Sequence, residues 1–247
     1  LNHTIIQKTS SNDDEFSMNT QASSHWDSAR HYPYQDGLRF YNHVTEADIS
    51  GPNHNERLGI QNIANHPIAT RGILLDYVEY AQARNISYDA FSSHTISHEV
   101  LQEIADSHGI QFRSADILLV RSGWNLQYEA LDVTSKLELS AREGVERTYI
   151  GIKATVDAAR WHWENGFVAV AGDTVAYESM PLGKGGDGTI LHEIFLSGWA
   201  MPIGESFDLE LLAKRCKEQD RYTFFLSSQP LTLPGGVASP PNVMAIF

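Results

Sequence analysis

Five short apolar runs, 72-GILLDYV-78, 116-DILLVRS-122, 167-FVAVAGD-173, 222-YTFFLSS-228 and 243-VMAIF-247, constrain the fold of this chain more than any other feature. Each is bounded by Gly, Asp or Ser and reads as a core strand. Between them, 97-SHEVLQEIADSHG-109 opens on a Ser cap and closes on Gly, and 152-IKATVDAARWHWENG-166 repeats apolar residues at helical spacing. A third helix is expected over 208-DLELLAKRCKEQ-219. Strands alternating with helices imply an α/β fold, and the long polar first third suggests extra antiparallel strands there. Pro and Gly gather in the loop 230-PLTLPGGVASPPN-242 and in 181-PLGKGGDG-188, a turn that could cover a site. The length of 247 residues suits one domain spanning 1–247.

Composition excludes several partners. With 18 basic against 31 acidic residues and a net charge of -13, the chain has little surface for phosphate, so nucleic acid is not expected. No apolar run approaches the roughly 20 residues of a spanning helix, so no membrane element is expected. The opening LNHTIIQKTS has no hydrophobic signal core, and a cytoplasmic location is expected. The sequons Asn2-His3-Thr4 and Asn85-Ile86-Ser87 would matter only in a secreted protein. The single cysteine, Cys216, excludes an intrachain disulfide and reads as filler on an amphipathic helix.

The stretch 21-QASSHWDSARHYPYQ-35 is of a different kind. In an extended strand Gln21, Ser23, His25, Asp27, Ala29 and His31 would project to one side. Such a polar face is costly to bury without a partner, and a divalent cation supplies one, because imidazole nitrogen and carboxylate oxygen suit Zn or Mn. The competing reading is a solvated edge strand with surface histidines. A second cluster, 189-TILHEIFLSGWAMPIGESFDLE-210, places His192 before a helix-like apolar run and Glu205 after it, and these two could complete a coordination shell. Taken singly, each has an ordinary structural explanation.

Together the clusters resemble the metal-dependent cyclase family, which includes bacterial kynurenine formamidases and isatin hydrolases. The first is similar to the HxGTHxDxPxH signature, read here as QxSSHxDxAxH from Gln21 to His31, and the second to the family's later His and Glu, matched by His192 and Glu205. The likeness continues through 168-VAVAGDTVAYE-178 and 229-QPLTLPGGVASPPNVMAIF-247. It is strongest toward the fungal branch, whose NTQxxSQWDGLRH and HExxLxxWGMPIGE stand here as 19-NTQASSHWDSARH-31 and 192-HEIFLSGWAMPIGE-205. The resemblance implies a mixed sheet curled into a partly open barrel with flanking helices, a swivelling β/β/α-like fold. It also implies a family segment ahead of residue 1 that this chain lacks.

The implied chemistry is hydrolysis of a formamide, lactam, cyclic imide or lactone by a metal-activated water. The alternatives are a metal-dependent cyclase or dehydratase of a fungal secondary metabolite, and a non-catalytic member. His25 and Asp27 would hold the ion with Gln21 and Glu205 as further ligands, His31 would move the proton, and His192 would share that task or bind a second ion. Gln21 departs from the family's first histidine, and its neutral amide is a weaker ligand, so one ion is expected and a second remains possible. Trp26, Tyr32, Tyr34, Phe40 and Tyr41 crowd the first motif and Trp199 lies in the second, which suggests an aromatic or planar substrate. Asp173 is expected to hold backbone amides and Arg121 to pair with an acid. The C-terminal strand and the loop before it suit a subunit contact, so a homodimer or homotetramer is expected.

Overall fold

Burial on both faces turns the three central apolar runs into the middle of a sheet, and the remaining strands add to either side. In the computed structural model, which describes residues 1–247, the strands are β1 (Asn2–Gln7), β2 (Asn12–Ser17), β3 (His25–Asp27), β4 (Ile68–Asp76), β5 (Thr95–Ile96), β6 (Ile117–Arg121), β7 (Gly151–Ile152), β8 (Ala169–Gly172), β9 (Ile203–Glu205), β10 (Thr223–Ser228), β11 (Ala238–Ser239) and β12 (Val243–Ile246). Eight form one sheet in the order β11-β3-β9-β8-β6-β4-β10-β12. The neighbours among β4, β6, β8 and β9 pair in parallel, while β3, β10, β11 and β12 join antiparallel.

Helices α1 (Glu46–Ile49), α2 (Gln61–Asn65), α3 (Tyr77–Ala83), α4 (His98–Ser107), α5 (Trp124–Glu129), α6 (Val133–Ser140), α7 (Val156–Glu164) and α8 (Glu210–Gln219) fill the connections. Their starts follow capping chemistry: Ser97 accepts from the Val100 amide, Thr155 from Ala158 and Asp76 from Glu79. The helix expected over 152–166 therefore begins only at Val156, because Ile152 pairs with Ile96 and Thr155 is the cap. Likewise the strand expected over 72–78 reaches back to Ile68 and stops at Asp76, the cap of α3. Asp173 accepts from the Ser122 and Gly123 amides, and Arg121 pairs with Asp76 and Glu210. No helix is long and apolar enough to cross a membrane.

One hydrogen bond measures how far the sheet curls. β3 and β10 are separated by four strands, which in a flat sheet at about 4.8 Å spacing would put them more than 20 Å apart. Yet the Trp26 indole N–H on β3 donates to Ser228 Oγ on β10 at 2.9 Å. The sheet is thus a half-barrel, and Trp26, with no exposed surface, packs edge-on against Phe207 inside it.

The extended strand expected over 21–31 is corrected here. Only His25–Asp27 is strand; residues before it bend, and Ser28 to His31 form a turn closed by His31 N–H donating to Ser28 O at 3.0 Å. The extra antiparallel strands of the first third are present as β3 and as the β1–β2 hairpin, which forms a sheet of its own.

Replacing the latch between the two sides of the half-barrel should be costly. Trp26→Ala is expected to destabilise the fold by about 3–5 kcal/mol, read as a lower denaturation midpoint in urea. A shift below about 1 kcal/mol would show that the barrel interior does not rely on this side chain.

Candidate metal centre

Alternation along β3 sends His25 and Asp27 to one face and Trp26 to the other. Pairing with β9 then sets Glu205 directly opposite His25. His25 Nε2 lies 3.5 Å from Asp27 Oδ1 and 3.4 Å from Glu205 Oε2, and all three side chains are buried. The His25 ring is oriented from behind, because Nδ1–H donates to the Ser23 carbonyl at 2.7 Å and turns Nε2 toward the carboxylates. Nε2 of His25 and Oδ2 of Asp27 are nevertheless buried without a hydrogen-bond partner. Buried polar atoms are rarely left so, and a cation between them would satisfy both. One imidazole nitrogen and carboxylate oxygens within 4.8 Å of one another fit a divalent ion such as Zn or Mn.

The carboxylates are held so that one oxygen of each stays available. Gln21 Nε2 donates to Asp27 Oδ1 at 2.7 Å, leaving Oδ2 free. His192 Nε2 bonds Glu205 Oε1 at 2.9 Å, while Oε2 is the oxygen that faces His25. Gln21 is corrected in this respect: the end of its amide turned toward Asp27 is the N–H donor, which has no lone pair for a metal.

His192 is gripped on its other side by Glu178, a residue that the sequence reading passes over. Glu178 Oε1 accepts from the His192 backbone N–H at 2.7 Å and from its Nδ1 at 2.9 Å, and the carboxylate is fully buried. Its only signal is an acid closing the run 168-VAVAGDTVAYE-178, where an apolar segment ends on a charge. Burial opposes a charged His192, but the flanking Glu178 and Glu205 outweigh it and raise its pKa to about 10. At His25 burial is again overcome, by the pull of Asp27 and Glu205, to about 10. Glu205, which burial alone would raise, is held down to about 2 by His192 and His25. Without metal, the cluster therefore keeps protons on both imidazoles.

His31 stands at the open side. Its ring is part-exposed, with Nδ1 3.9 Å from Asp27 Oδ1 and 3.2 Å from Gln21 Nε2. Asp27, His31 and His192 form a second group of possible ligands that shares Asp27 with the first. Of the aromatic candidates, Tyr32 is beside the centre, its ring 5.5 Å from that of His192. Tyr34 lies next to the segment after His192, where a side chain at Gly198 would strike its hydroxyl. Phe40 is buried and Tyr41 exposed, in the loop beyond. Trp26 and Trp199 are corrections: Trp26 occupies the core face of β3, and Trp199 stacks on Phe195 and faces Trp163 in a separate pocket of about 320 Å³.

The family model Cyclase, described as "Putative cyclase", matches residues 1–179. Among solved structures, that of a novel cyclase superposes with a TM-score of 0.83 at 29% identity, covering 99% of this chain and 81% of that one. Isatin hydrolase A from Ralstonia solanacearum follows the same fold with a TM-score of 0.65 at 16% identity, covering 100% and 81%. A predicted metal-dependent hydrolase from Bacillus stearothermophilus has a TM-score of 0.52 at 14% identity, covering 99% and 85%. These last two are likenesses of fold. No curated protein matches.

Because metal-free His25 holds a proton up to about pH 10 at the nitrogen an ion would need, loading competes with that proton. Titration with Mn or Zn near neutral pH is expected to release about one proton per ion, read from the buffer dependence of the calorimetric enthalpy, with affinity weakening as pH falls. An enthalpy and affinity indifferent to buffer and pH would remove His25 from the shell.

Proposed function

The chain belongs to the cyclase family, and from that premise we propose that it is a metal-dependent hydrolase that opens an amide or ester-type bond in a small planar or aromatic molecule. The bond classes are formamide, lactam, cyclic imide and lactone. The observation that carries the reading is the pair of buried, unpartnered atoms His25 Nε2 and Asp27 Oδ2 beside Glu205, with a part-exposed histidine next to them.

His25, Asp27 and Glu205 would hold a single divalent ion, Mn or Zn. When bound, such an ion polarises a carbonyl and lowers the pKa of water toward neutrality, so no nucleophilic serine or cysteine is needed. Gln21 Nε2, 3.2 Å from His31 Nδ1, fixes the ring beside Asp27. His31, part-exposed beside Asp27, takes a proton from the attacking water and returns it to the leaving nitrogen or oxygen. Asp27 stabilises the ring while it carries that proton. His192, locked between Glu178 and Glu205, keeps Glu205 oriented, and Tyr32 offers a ring on which a planar substrate stacks.

A screen of metal-loaded protein against formamides, lactams, lactones and cyclic imides, with mass detection, tests the reaction class. Gain of one water supports hydrolysis; loss of water or no mass change would point to dehydration or cyclisation. Asp27→Ala is expected to lose both the ion, by elemental analysis, and turnover. His31→Ala is expected to retain the ion and lose about 10²- to 10⁴-fold in turnover. If His31→Ala loses its metal as completely as Asp27→Ala, His31 is a ligand and the assignment fails.

A further inference from the structure

The turn from Ser28 to His31 is anchored at both of its ends. Ser28 N–H and Ser28 Oγ reach the Val237 carbonyl at 2.9 and 2.7 Å, and Oγ accepts from the Arg30 N–H at 3.3 Å. Beyond the turn, Ser197 Oγ donates to the Tyr32 carbonyl at 2.7 Å. Between these anchors stands Arg30, only 3% exposed. Its Nη1 donates to the carbonyls of Asn55 and Arg57 at 2.6 and 2.7 Å, and its Nη2 to that of Ile49 at 2.9 Å. The three acceptors belong to one unit, because Ile49 ends α1 and Asn55 bonds back to Asp48 through both its N–H and its side-chain amide.

Stability alone does not call for an arginine here. Burial lowers its pKa, the charges of Asp48 and Glu46 only partly offset that, and Nε is buried without a partner. Replacing a buried charge by an apolar side chain of similar size is often neutral or stabilising, and it would remove the unmatched donor. An apolar side chain could not, however, tie three separate carbonyls to one turn, as the planar guanidinium does. His31 has more need of such a tie than the other two histidines of the centre. His25 is held at Nδ1 by Ser23, and His192 is gripped on both nitrogens by Glu178 and Glu205. The His31 ring has Gln21 at 3.2 Å and Asp27 at 3.9 Å, both on Nδ1, and is part-exposed. Its place is set by the backbone that carries it.

We propose that Arg30 is a positioning residue for His31: by tying the turn to α1 and to residues 55–57, the guanidinium holds the His31 ring beside Asp27. Its part in turnover rests on the reading of His31 as the proton carrier; its hold on the ring does not.

Nuclear magnetic resonance of the metal-free protein carrying isotope-labelled histidine reads that hold without any reaction, with His25, His31 and His192 each assigned by its own substitution to Gln. In Arg30→Ala the His31 ring signal should move or broaden while those of His25 and His192 stay in place. Guanidinium ion at a non-denaturing concentration should return it. Arg30→Lys keeps the charge but cannot reach three carbonyls; it should displace the same signal, and it decides the matter if Arg30→Ala does not fold. Both variants should hold as much metal as the unsubstituted protein by elemental analysis, with kcat about 10²-fold lower and KM little changed. An unmoved His31 signal in a folded variant overturns the proposal. So does joint displacement of all three histidines, which would make Arg30 a general prop of the centre, or a displaced ring in Arg30→Ala that guanidinium does not return. A displaced ring with unchanged kcat overturns the part in turnover. If the unsubstituted protein turns over no substrate, the reaction reading falls, and the ring signals still decide for or against Arg30.

Discussion

Three residue pairs between β3 and β9, His25 with Glu205, Trp26 with Gly204 and Asp27 with Ile203, are what the rest of the molecule is arranged to make possible. They join segments far apart in sequence, so the pairing closes a long stretch of chain that contains the parallel core. The middle pair shows how little room there is. A Cβ on Gly204 would lie 2.6 Å from Ala171 on β8 and 2.9 Å from the Phe207 ring, so only glycine lets β9 pass between β8 and the Trp26–Phe207 contact. The His25–Glu205 pair brings two of the ion's candidate ligands face to face, and the middle pair fills the barrel.

A common device then shapes the two carboxylates. Gln21 claims Oδ1 of Asp27 and leaves Oδ2 unpartnered, and His192 claims Oε1 of Glu205 and leaves Oε2 facing His25 Nε2. The backbone of Ser23 does the same for the imidazole. Supporting hydrogen-bond partners that fix the direction of a ligand commonly tune a metal site nearly as strongly as the ligands themselves. On this view Gln21 in the position of an imidazole is an orienting group, and Glu178, one layer further out, anchors His192 so that it can orient Glu205.

Much of this was readable from the residues and some was not, for physical reasons. The apolar runs around Leu74, Leu119 and Val170 are buried on both faces, and such runs announce themselves. His25 and Asp27 stand out in the sequence by polar alternation, and the family resemblance joins them to His192 and Glu205; the structure brings the four side chains together. Strand β9 was hidden because its three residues follow a π-helical turn, Glu193–Gly198, that no helical or strand periodicity describes. Glu178 was hidden because its partner is a backbone amide as well as His192, a contact made by folding alone. Trp26 and Trp199 were misplaced by proximity in sequence: in a strand the neighbour of a ligand points the opposite way, and Trp199, which ends the π-helical turn, stacks on Phe195 beside Trp163.

The position of Trp26 gives the protein a built-in optical reporter. Of the tryptophans, it alone has no exposed surface, while Trp163 is 64% exposed. Its indole is flanked along the strand by His25 and Asp27, and it is held by one hydrogen bond to the far side of the half-barrel. An indole in so dry a setting emits at the short-wavelength edge of the protein's fluorescence, separate from its solvated counterparts. Light collected at that edge therefore views the ion's cage from the rear, through the strand that carries it, without touching the face where chemistry would occur.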